Sequence, residues 1–469
     1  MAEAPQYDLA VVGSGPGGYV AAIRAGQLGL KTAIVEKDDK FGGTCLHVGC
    51  IPTKDLLLSA DVYDYVKNSR EFGIGAKEVS IDWPAVLARK TKVVTKLAKG
   101  VEFLLKKNKV DMIRGMGKLL APGRMSVTDP QGMARVITAK HMVLATGSEA
   151  RLLPGLEVDG KALLTNKEIL NLPAVPKSMV IIGAGAVGVE FASIFHRFGA
   201  KVTVLEMLPR AVPLEDEEIS VELEKSLKHQ GIAIQTQAKV TKITKTASGI
   251  TVEYEVGEGK AQTLDAETCL VAVGRTPNTA NLGLEKTRVK LERGFVKTNG
   301  FMQTDEPGIY AIGDIVANSP LLAHVASREG LVAVTHAAGK AAEPINHRQI
   351  PNCTYTEPEV ASVGLTERLA REAGHKVKIG KFPYAAVSKA TILGAREGFV
   401  KVVSDEKYGE ILGVHIIGPR ATETIAEAVM AMRLEGTVDD IAHTIHAHPT
   451  LAEAVGEAAH AAVDWPIHI

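Results

Sequence analysis

One short pattern occurs twice in this chain and constrains its fold more than any other feature. In the first copy the apolar residues Leu9 to Val12 lead into Gly13-Ser14-Gly15-Pro16-Gly17-Gly18, a helical stretch follows, and a strand from Lys31 to Val35 ends at Glu36. In the second, Met179 to Ile182 lead into Gly183-Ala184-Gly185-Ala186-Val187-Gly188, again a helical stretch follows, and Lys201 to Leu205 end at Glu206. In both copies the acidic residue stands eighteen positions after the third glycine. Each glycine has a physical task in a βαβ unit that binds a dinucleotide. The first permits a tight turn, the second lets a pyrophosphate approach the backbone, and the third packs helix against strand.

The pyrophosphate would lie at the helix N-terminus, where free N–H groups and the macrodipole favour negative charge. Glu36 and Glu206 would accept hydrogen bonds from the adenosine ribose hydroxyls. A single fingerprint of this kind could be an ordinary turn, but two with the acid in register predict two nucleotide sites. A carboxylate at Glu206 would repel a 2′-phosphate, so NAD is expected there rather than NADP. Arg210 lies nearby, and an arginine can accommodate such a phosphate. Surface pairing is the expected role for it here.

Each copy closes on a similar strand: His141 to Ser148 ends in Ala-Thr-Gly-Ser, and Thr268 to Arg275 ends in Ala-Val-Gly-Arg. The second nucleotide domain is placed at 151–279, entered past Pro154, Pro173 and Pro176. Residues 1–150 form the first, and Gly308 to Asp314, an apolar strand ending in Gly-Asp, marks a return to it within 280–350. From 351 to 469 the pattern changes to strands Gly398–Val403 and Ile411–Ile417 and then Ala-rich helices, which predicts a separate C-terminal domain. The fold class is therefore α/β, with two Rossmann-like dinucleotide-binding domains and an α+β domain after them.

The chain has 469 residues, which suggests about three domains. Lys plus Arg equals Asp plus Glu, 54 each, so no bulk charge recruits nucleic acid or membrane. No apolar run is long enough to span a bilayer, and neither a signal nor a transit segment fits ahead of Tyr7. A cytoplasmic protein is expected, and a matrix protein that had lost its presequence would look the same.

Of the four cysteines, Cys269 and Cys353 are isolated while Cys45 and Cys50 are close together. They lie in Gly42-Gly43-Thr44-Cys45-Leu46-His47-Val48-Gly49-Cys50-Ile51-Pro52-Thr53-Lys54. A metal site would need four suitable ligands, and no second close cysteine pair supplies them. Two buried structural thiols are a further reading, and a reversible disulfide is the third. In a regular helix five residues advance about 7.5 Å, beyond the usual Cα separation of a disulfide. A disulfide here would need irregular backbone, which Gly49 and Pro52 permit.

The segment from Gly42 to Lys54 resembles the redox-active signature of the class I pyridine nucleotide–disulfide oxidoreductases. That family includes dihydrolipoamide dehydrogenase, glutathione reductase and mercuric reductase, and this chain looks most like its dihydrolipoamide dehydrogenase branch. The resemblance runs from Tyr7 through the C-terminal His-Pro segment with the motifs in the family's order. It implies FAD at the first fingerprint and NAD at the second. Cys45 would then exchange disulfides with substrate while Cys50 is the thiolate beside the flavin. Lys54 would lie near the flavin, paired with Glu190, and Asp314 would hold a ribityl hydroxyl. By the same carry-over Gly117, Thr146, Gly147 and Ala323 are expected at FAD, and Val240 and Gly274 at NAD. His47 stands where the family usually has Asn, and Thr53 where it usually has Ser. A histidine between the cysteines could shift their thiolate pKa values.

Near the C-terminus stands His443-Thr444-Ile445-His446-Ala447-His448-Pro449-Thr450-Leu451-Ala452-Glu453. Thiol–disulfide exchange needs a thiolate, and an imidazole placed to take the proton of a dithiol would supply one. A carboxylate on its other nitrogen would fix the tautomer and stabilise the imidazolium. Thr450-x-x-Glu453 also matches a helix capping box, and three near histidines could bind metal. The residues alone leave these readings open; no metal is expected, because no cysteine or aspartate cluster completes a ligand set. The resemblance places the base on His448, its partner on Glu453 and a supporting residue at His446. It also implies a homodimer in which the histidine reaches the other subunit's disulfide.

The expected function is oxidation of protein-bound dihydrolipoyl groups by NAD, as the shared component of 2-oxo acid dehydrogenase or glycine-cleavage complexes, with the lipoyl group arriving on another chain. The alternative is an NADPH-dependent disulfide or mercuric reductase of the same fold. Glu206 opposes NADPH, and the lack of a C-terminal cysteine pair opposes mercury chemistry.

Overall fold

The residues Tyr7–Val12 and Thr32–Glu36 are almost wholly buried apolar runs, the pattern of parallel strands covered on both faces. They pair side by side in a parallel sheet ordered Asp111–Arg114, Thr32–Glu36, Tyr7–Val12, Ala134–Leu144, Ile309–Ala311. The structure, a computed structural model, describes residues 6–257, 259 and 261–468. Ala134–Leu144 serves two sheets. Its end joins the parallel one, and its beginning pairs antiparallel with Arg124–Thr128, which pairs in turn with Met116–Ala121. Those two outer strands alternate buried and accessible residues, as a one-sided sheet requires.

The second copy of the repeat reproduces this plan. Ala233–Gln235, Lys201–Leu205, Ser178–Ile182, Thr268–Val271 and Leu163–Leu164 form a parallel sheet in that order. A three-stranded antiparallel meander, Ala238–Thr246, Gly249–Val256 and Gln262–Ala266, accompanies it. The strands that close each copy are shorter at their C-terminal ends than the sequence suggests, stopping at Leu144 and Val271. Beyond them the chain turns through glycines with positive φ, Gly147 at 69° and Gly274 at 109°.

Residues 352–418 build a five-stranded antiparallel sheet ordered Asn352–Thr354, Glu359–Gly364, Ile411–Gly418, Phe399–Asp405, Val377–Pro383. The helices Ala421–Arg433 and Glu453–Ala462 cover it, burying Ile425, Ala428, Ala454, Val455, Ala458 and Ala459 against Val400, Val402, Val414 and Ile416. The chain falls into two compact units. One holds the chain up to Asp55 with Ala85–Arg151 and Arg275–Ile345; the other holds Leu56–Pro84, Leu152–Gly274 and the chain from Asn346. Among the described residues no helix is long and apolar enough to cross a membrane.

Candidate active site

The two fingerprints divide their glycines as the sequence reading expects. A Cβ on Gly13 or Gly183 would collide with the carbonyl of Ala145 or Ala272, and both glycines have φ near 100°, at 99° and 104°. A Cβ on Gly18 or Gly188 would run into the carbonyl of Gly13 or Gly183. At Gly15 and Gly185, by contrast, a Cβ would point into open space, with nothing within 4 Å. These two glycines open the helices Pro16–Gln27 and Ala186–Arg197, and no side chain caps either helix. The first N–H groups of each are left for a ligand, which fits a dinucleotide pyrophosphate.

The acids are held in place. Glu36 Oε2 accepts from Ser14 N at 2.9 Å and Ser14 Oγ at 2.6 Å, and its Oε1 accepts from Asp38 N at 2.9 Å. Glu206 accepts from Ala184 N at 2.6 Å and Leu208 N at 2.7 Å. Arg210 pairs with Glu217 at 2.6 Å, the surface pairing expected of it.

The cysteine segment lies directly on the first fingerprint. Gly42 N donates to the Ser14 carbonyl at 3.1 Å and to Ser14 Oγ at 3.0 Å. Gly43, at φ 65°, is so near that a Cβ would stand 2.5 Å from Gly15 Cα. Cys45 lies in the short helix Gly43–Val48 and Cys50 opens the helix Cys50–Lys67. Gly49 breaks the chain between them at φ −142°, ψ −118°. A Cβ there would crowd Thr44 O at 2.9 Å and Cys45 Cα at 3.2 Å, so the break brings the cysteines onto one side. Pro52 occupies the first turn of its helix, where a missing N–H costs nothing. Thr53 Oγ1 donates to the Gly49 carbonyl at 2.7 Å. Both cysteines are free thiols. A hydrogen bond with Cys50, then burial, pushes the Cys45 thiol far up, while the charge of Lys54 draws it down. His47 bonds through Nε2 to the Phe41 carbonyl at 2.9 Å.

Other residues named for the first nucleotide gather in the same unit. Thr146 Oγ1 donates to the Asn278 carbonyl at 2.7 Å, and Asn278 Nδ2 donates back to Thr146 O at 3.0 Å, clamping the turn at Gly147. A Cβ on Gly147 meets nothing within 4 Å. Gly117 packs over Val12 and Val35, where a side chain would strike Met125. Ala323 starts the helix Ala323–Ala337, which also has no side-chain cap. Asp314 lies on a turn whose neighbours, Ser148, Arg275 and Glu329, the sequence reading did not single out.

In the other unit Glu190 is buried on the second fingerprint helix and accepts from Tyr355 N at 3.0 Å. Val240 stands on the first strand of the second meander, next to a register shift. Gly274 faces open space. His448 Nδ1 lies 2.7 Å from Glu453 Oε1, and Glu453 Oε2 accepts from Thr450 N at 2.8 Å. The carboxylate meets the histidine with one oxygen and a backbone N–H with the other. No capping box forms, because the helix begins at Glu453 with Ala452 as its uncapped N-cap and the Thr450 hydroxyl donates to the Ala447 carbonyl. Burial raises the Glu453 carboxyl, but the Thr450 N–H and His448 outweigh it and hold it below the ordinary value. The His448 side chain is 68% exposed, so its free nitrogen is open to a substrate. His446 is half-buried instead and bonds Glu427 at 2.7 Å, which raises its pKa. Its ring fills the space beside Gly456, where a Cβ would be 2.8 Å away. Among the described residues no His, Cys, Asp and Glu cluster could hold a metal ion.

Comparison with known proteins agrees with this arrangement. Residues 7–330 match the pyridine nucleotide-disulphide oxidoreductase family, and residues 350–459 match that family's dimerisation domain. Dihydrolipoyl dehydrogenase of Bacillus subtilis (strain 168) is 48% identical, over 99% of this chain and 100% of that protein. The enzyme of the same name from Rhizobium etli is 47% identical over 97% and 98%. The mitochondrial dihydrolipoyl dehydrogenase 1 of Arabidopsis thaliana is 43% identical over 98% and 91%. Among solved structures, LpdA from Mycobacterium tuberculosis superimposes with a TM-score of 0.89 at 28% identity, covering 96% of this chain and 99% of that one. The HOCl-induced flavoprotein disulfide reductase RclA from Escherichia coli does so with a TM-score of 0.86 at 26% identity, covering 97% and 99%.

Proposed function

The chain belongs to the pyridine nucleotide–disulphide oxidoreductase family, and from that premise we propose that it oxidises protein-bound dihydrolipoyl groups to the lipoyl disulfide, with NAD as the final acceptor. The observation that carries this reading is the Cys45–Cys50 pair, broken out of helix at Gly49 and seated on the first dinucleotide turn. Its cofactors are FAD at the first fingerprint and NAD at the second. FAD held at the first fingerprint would supply a two-electron acceptor for the reduced cysteines and a hydride donor for NAD.

The protein's own residues perform the sulfur chemistry. His448, oriented by Glu453, takes the proton of one dihydrolipoyl thiol. The thiolate attacks Cys45 Sγ, the Cys45–Cys50 bond breaks, and Cys50 leaves as a thiolate. The second lipoyl thiol attacks the lipoyl sulfur of the mixed disulfide and displaces Cys45, whose sulfur takes up that thiol's proton while His448 holds the first. Lipoyl disulfide leaves, and two electrons remain on the cysteine pair. Lys54 lies close enough to act on Cys45 electrostatically, and we assign it to the flavin environment.

The matched dimerisation domain supports a homodimer in which His448 of one copy serves the disulfide of the other. The expected partners are lipoyl-bearing chains of 2-oxo acid dehydrogenase or glycine-cleavage complexes, in a reducing compartment such as the cytoplasm. The domain division stated from the sequence, 1–150, 151–279, 280–350 and 351–469, belongs to the same proposal. Cys45→Ser protein should remain yellow and be reduced by NADH but not by dihydrolipoamide. Dithiol oxidation by that variant at the unaltered rate would sink the division of labour.

A further inference from the structure

Asp314 sits on the short turn Gly313–Ile315, and its carboxylate spends only one oxygen on the protein. Ser148 Oγ donates to Oδ2, and Arg275 Nε lies 3.6 Å from the same oxygen. Arg275 also donates to Ser148 Oγ at 2.5 Å and to the Ser148 carbonyl at 2.6 Å. The other oxygen, Oδ1, has no hydrogen bond among the described residues. The turn itself is held from behind by Glu329, which is fully buried on the helix Ala323–Ala337. Glu329 Oε2 accepts from Gly313 N at 2.5 Å and Oε1 accepts from Ser319 Oγ at 2.5 Å. One carboxylate thus ties the first residue of the turn to the loop that leaves it.

A carboxyl is a costly choice for such a position: burial, helped by the charge of Asp314, outweighs the bonds from Ser319 and Gly313 and pushes it up to about 7. An apolar residue would fill the space at no such cost but could not bond Gly313 N. The helix bearing Glu329 also packs on the first fingerprint helix at backbone distance. A Cβ on Gly17 would fall 2.9 Å from the Ala326 carbonyl, and one on Gly330 would fall 2.7 Å from the Gly17 carbonyl. A single helix therefore abuts both the helix whose N-terminus suits the pyrophosphate and the turn that presents Asp314.

We propose that Glu329 is a positioning residue for FAD: it fixes the Gly313–Asp314 turn relative to the first fingerprint so that the free oxygen of Asp314 meets the flavin side chain. This rests on the reading that FAD occupies the first fingerprint and that Asp314 faces it. The experiment measures FAD release from the holoenzyme on dilution, by flavin fluorescence, in Glu329→Ala, Glu329→Gln, Ser319→Ala and Asp314→Asn proteins and in the pairs with Asp314→Asn. Glu329→Ala should weaken FAD retention by about 10- to 100-fold, the cost of leaving a buried N–H unpaired. Glu329→Gln should stay within about 3-fold, because an amide keeps an acceptor for Gly313 N and a donor for Ser319. Ser319→Ala, which removes one bond of two and leaves the core intact, should fall between them.

In the Asp314→Asn background neither Glu329→Ala nor Ser319→Ala should weaken FAD further, because their effect runs through Asp314. Should Glu329→Ala fail to fold, the Ser319 pair decides. Full additivity with Asp314→Asn, or unchanged FAD release in both Glu329→Ala and Ser319→Ala, overturns the role of Glu329 while leaving the site reading intact. Unchanged release in Asp314→Asn overturns both.

Discussion

The two halves of the repeat share a strand order and a turn, yet their helices meet the rest of their units differently. The first fingerprint helix buries small residues, Gly17, Gly18, Ala21, Ala22 and Ala25, and its neighbours come up to the backbone: Gly330 on one side, Gly43 at the turn. The second buries Val189, Phe191, Ile194 and Phe195, an ordinary side-chain interface. Small residues give up apolar area, at about 25 cal/mol per Å², for close approach. In the first unit that approach sets the cysteine segment against the fingerprint turn and the Gly-Asp turn against the helix that packs on it, where FAD is proposed to lie. In the second unit Glu206 braces the fingerprint turn through Ala184 N, a simpler arrangement that would suit the proposed NAD, which leaves after each cycle.

The sharpest break of the comparison is at the first glycines. Gly13→Ala should yield protein without bound flavin, because its Cβ collides with Ala145 and its φ disfavours alanine. Gly183→Ala carries the equivalent clash with Ala272 and should leave the flavin in place while raising KM for NAD by about 10- to 200-fold, the range of a 1–3 kcal/mol overpacking cost. Absorbance at the flavin band and NAD kinetics separate the two outcomes. Equal flavin loss in both would mean that the halves do not hold different nucleotides.

A smaller effect belongs to the acid of the second half. Glu206→Gln removes the charge that a 2′-phosphate would meet, and its amide must turn one end toward Ala184 N and Leu208 N, which both donate. It should weaken NAD by about 10-fold, as expected when one hydrogen bond to a charged group is lost, and narrow the preference over NADP. Smallest of all is Arg210→Ala. Its guanidinium is taken up by Glu217 at 2.6 Å, so both nucleotides should change by less than about 2-fold, the scale of a surface ion pair. A large loss of NADP use in that variant would give Arg210 the phosphate role that its pairing argues against.

Much of this was legible in the sequence because local chemistry dictates it. The glycines of the fingerprints and the Gly49 break have few other solutions, and Glu36 and Glu206 are fixed by their register. The two meanders were not read. Their strands carry a weak alternation, although Pro122-Gly123 and Asp129-Pro130 mark turns that could have disclosed the first of them. Glu329 could not be read at all. A glutamate in an Ala-rich helix looks solvent-facing, and only the return of Ile309–Ala311 to the first sheet brings the turn at Gly313 against it. The role of Glu453 lay between these cases: a capping box and a histidine partner were competing readings, and the helix starts too late for the box, at Glu453 itself, while one carboxylate oxygen meets His448.

The central claim is that electrons enter from a dithiol at the cysteine pair and leave to NAD. An anaerobic assay of the purified yellow protein, offering dihydrolipoamide or glutathione as donor and NAD or NADP as acceptor, tests it most directly. The account predicts rapid NADH formation from dihydrolipoamide, with little use of NADP or glutathione. Activity confined to NADPH and another disulfide would contradict it, leaving the fold and the cysteine pair but reversing the direction of the chemistry.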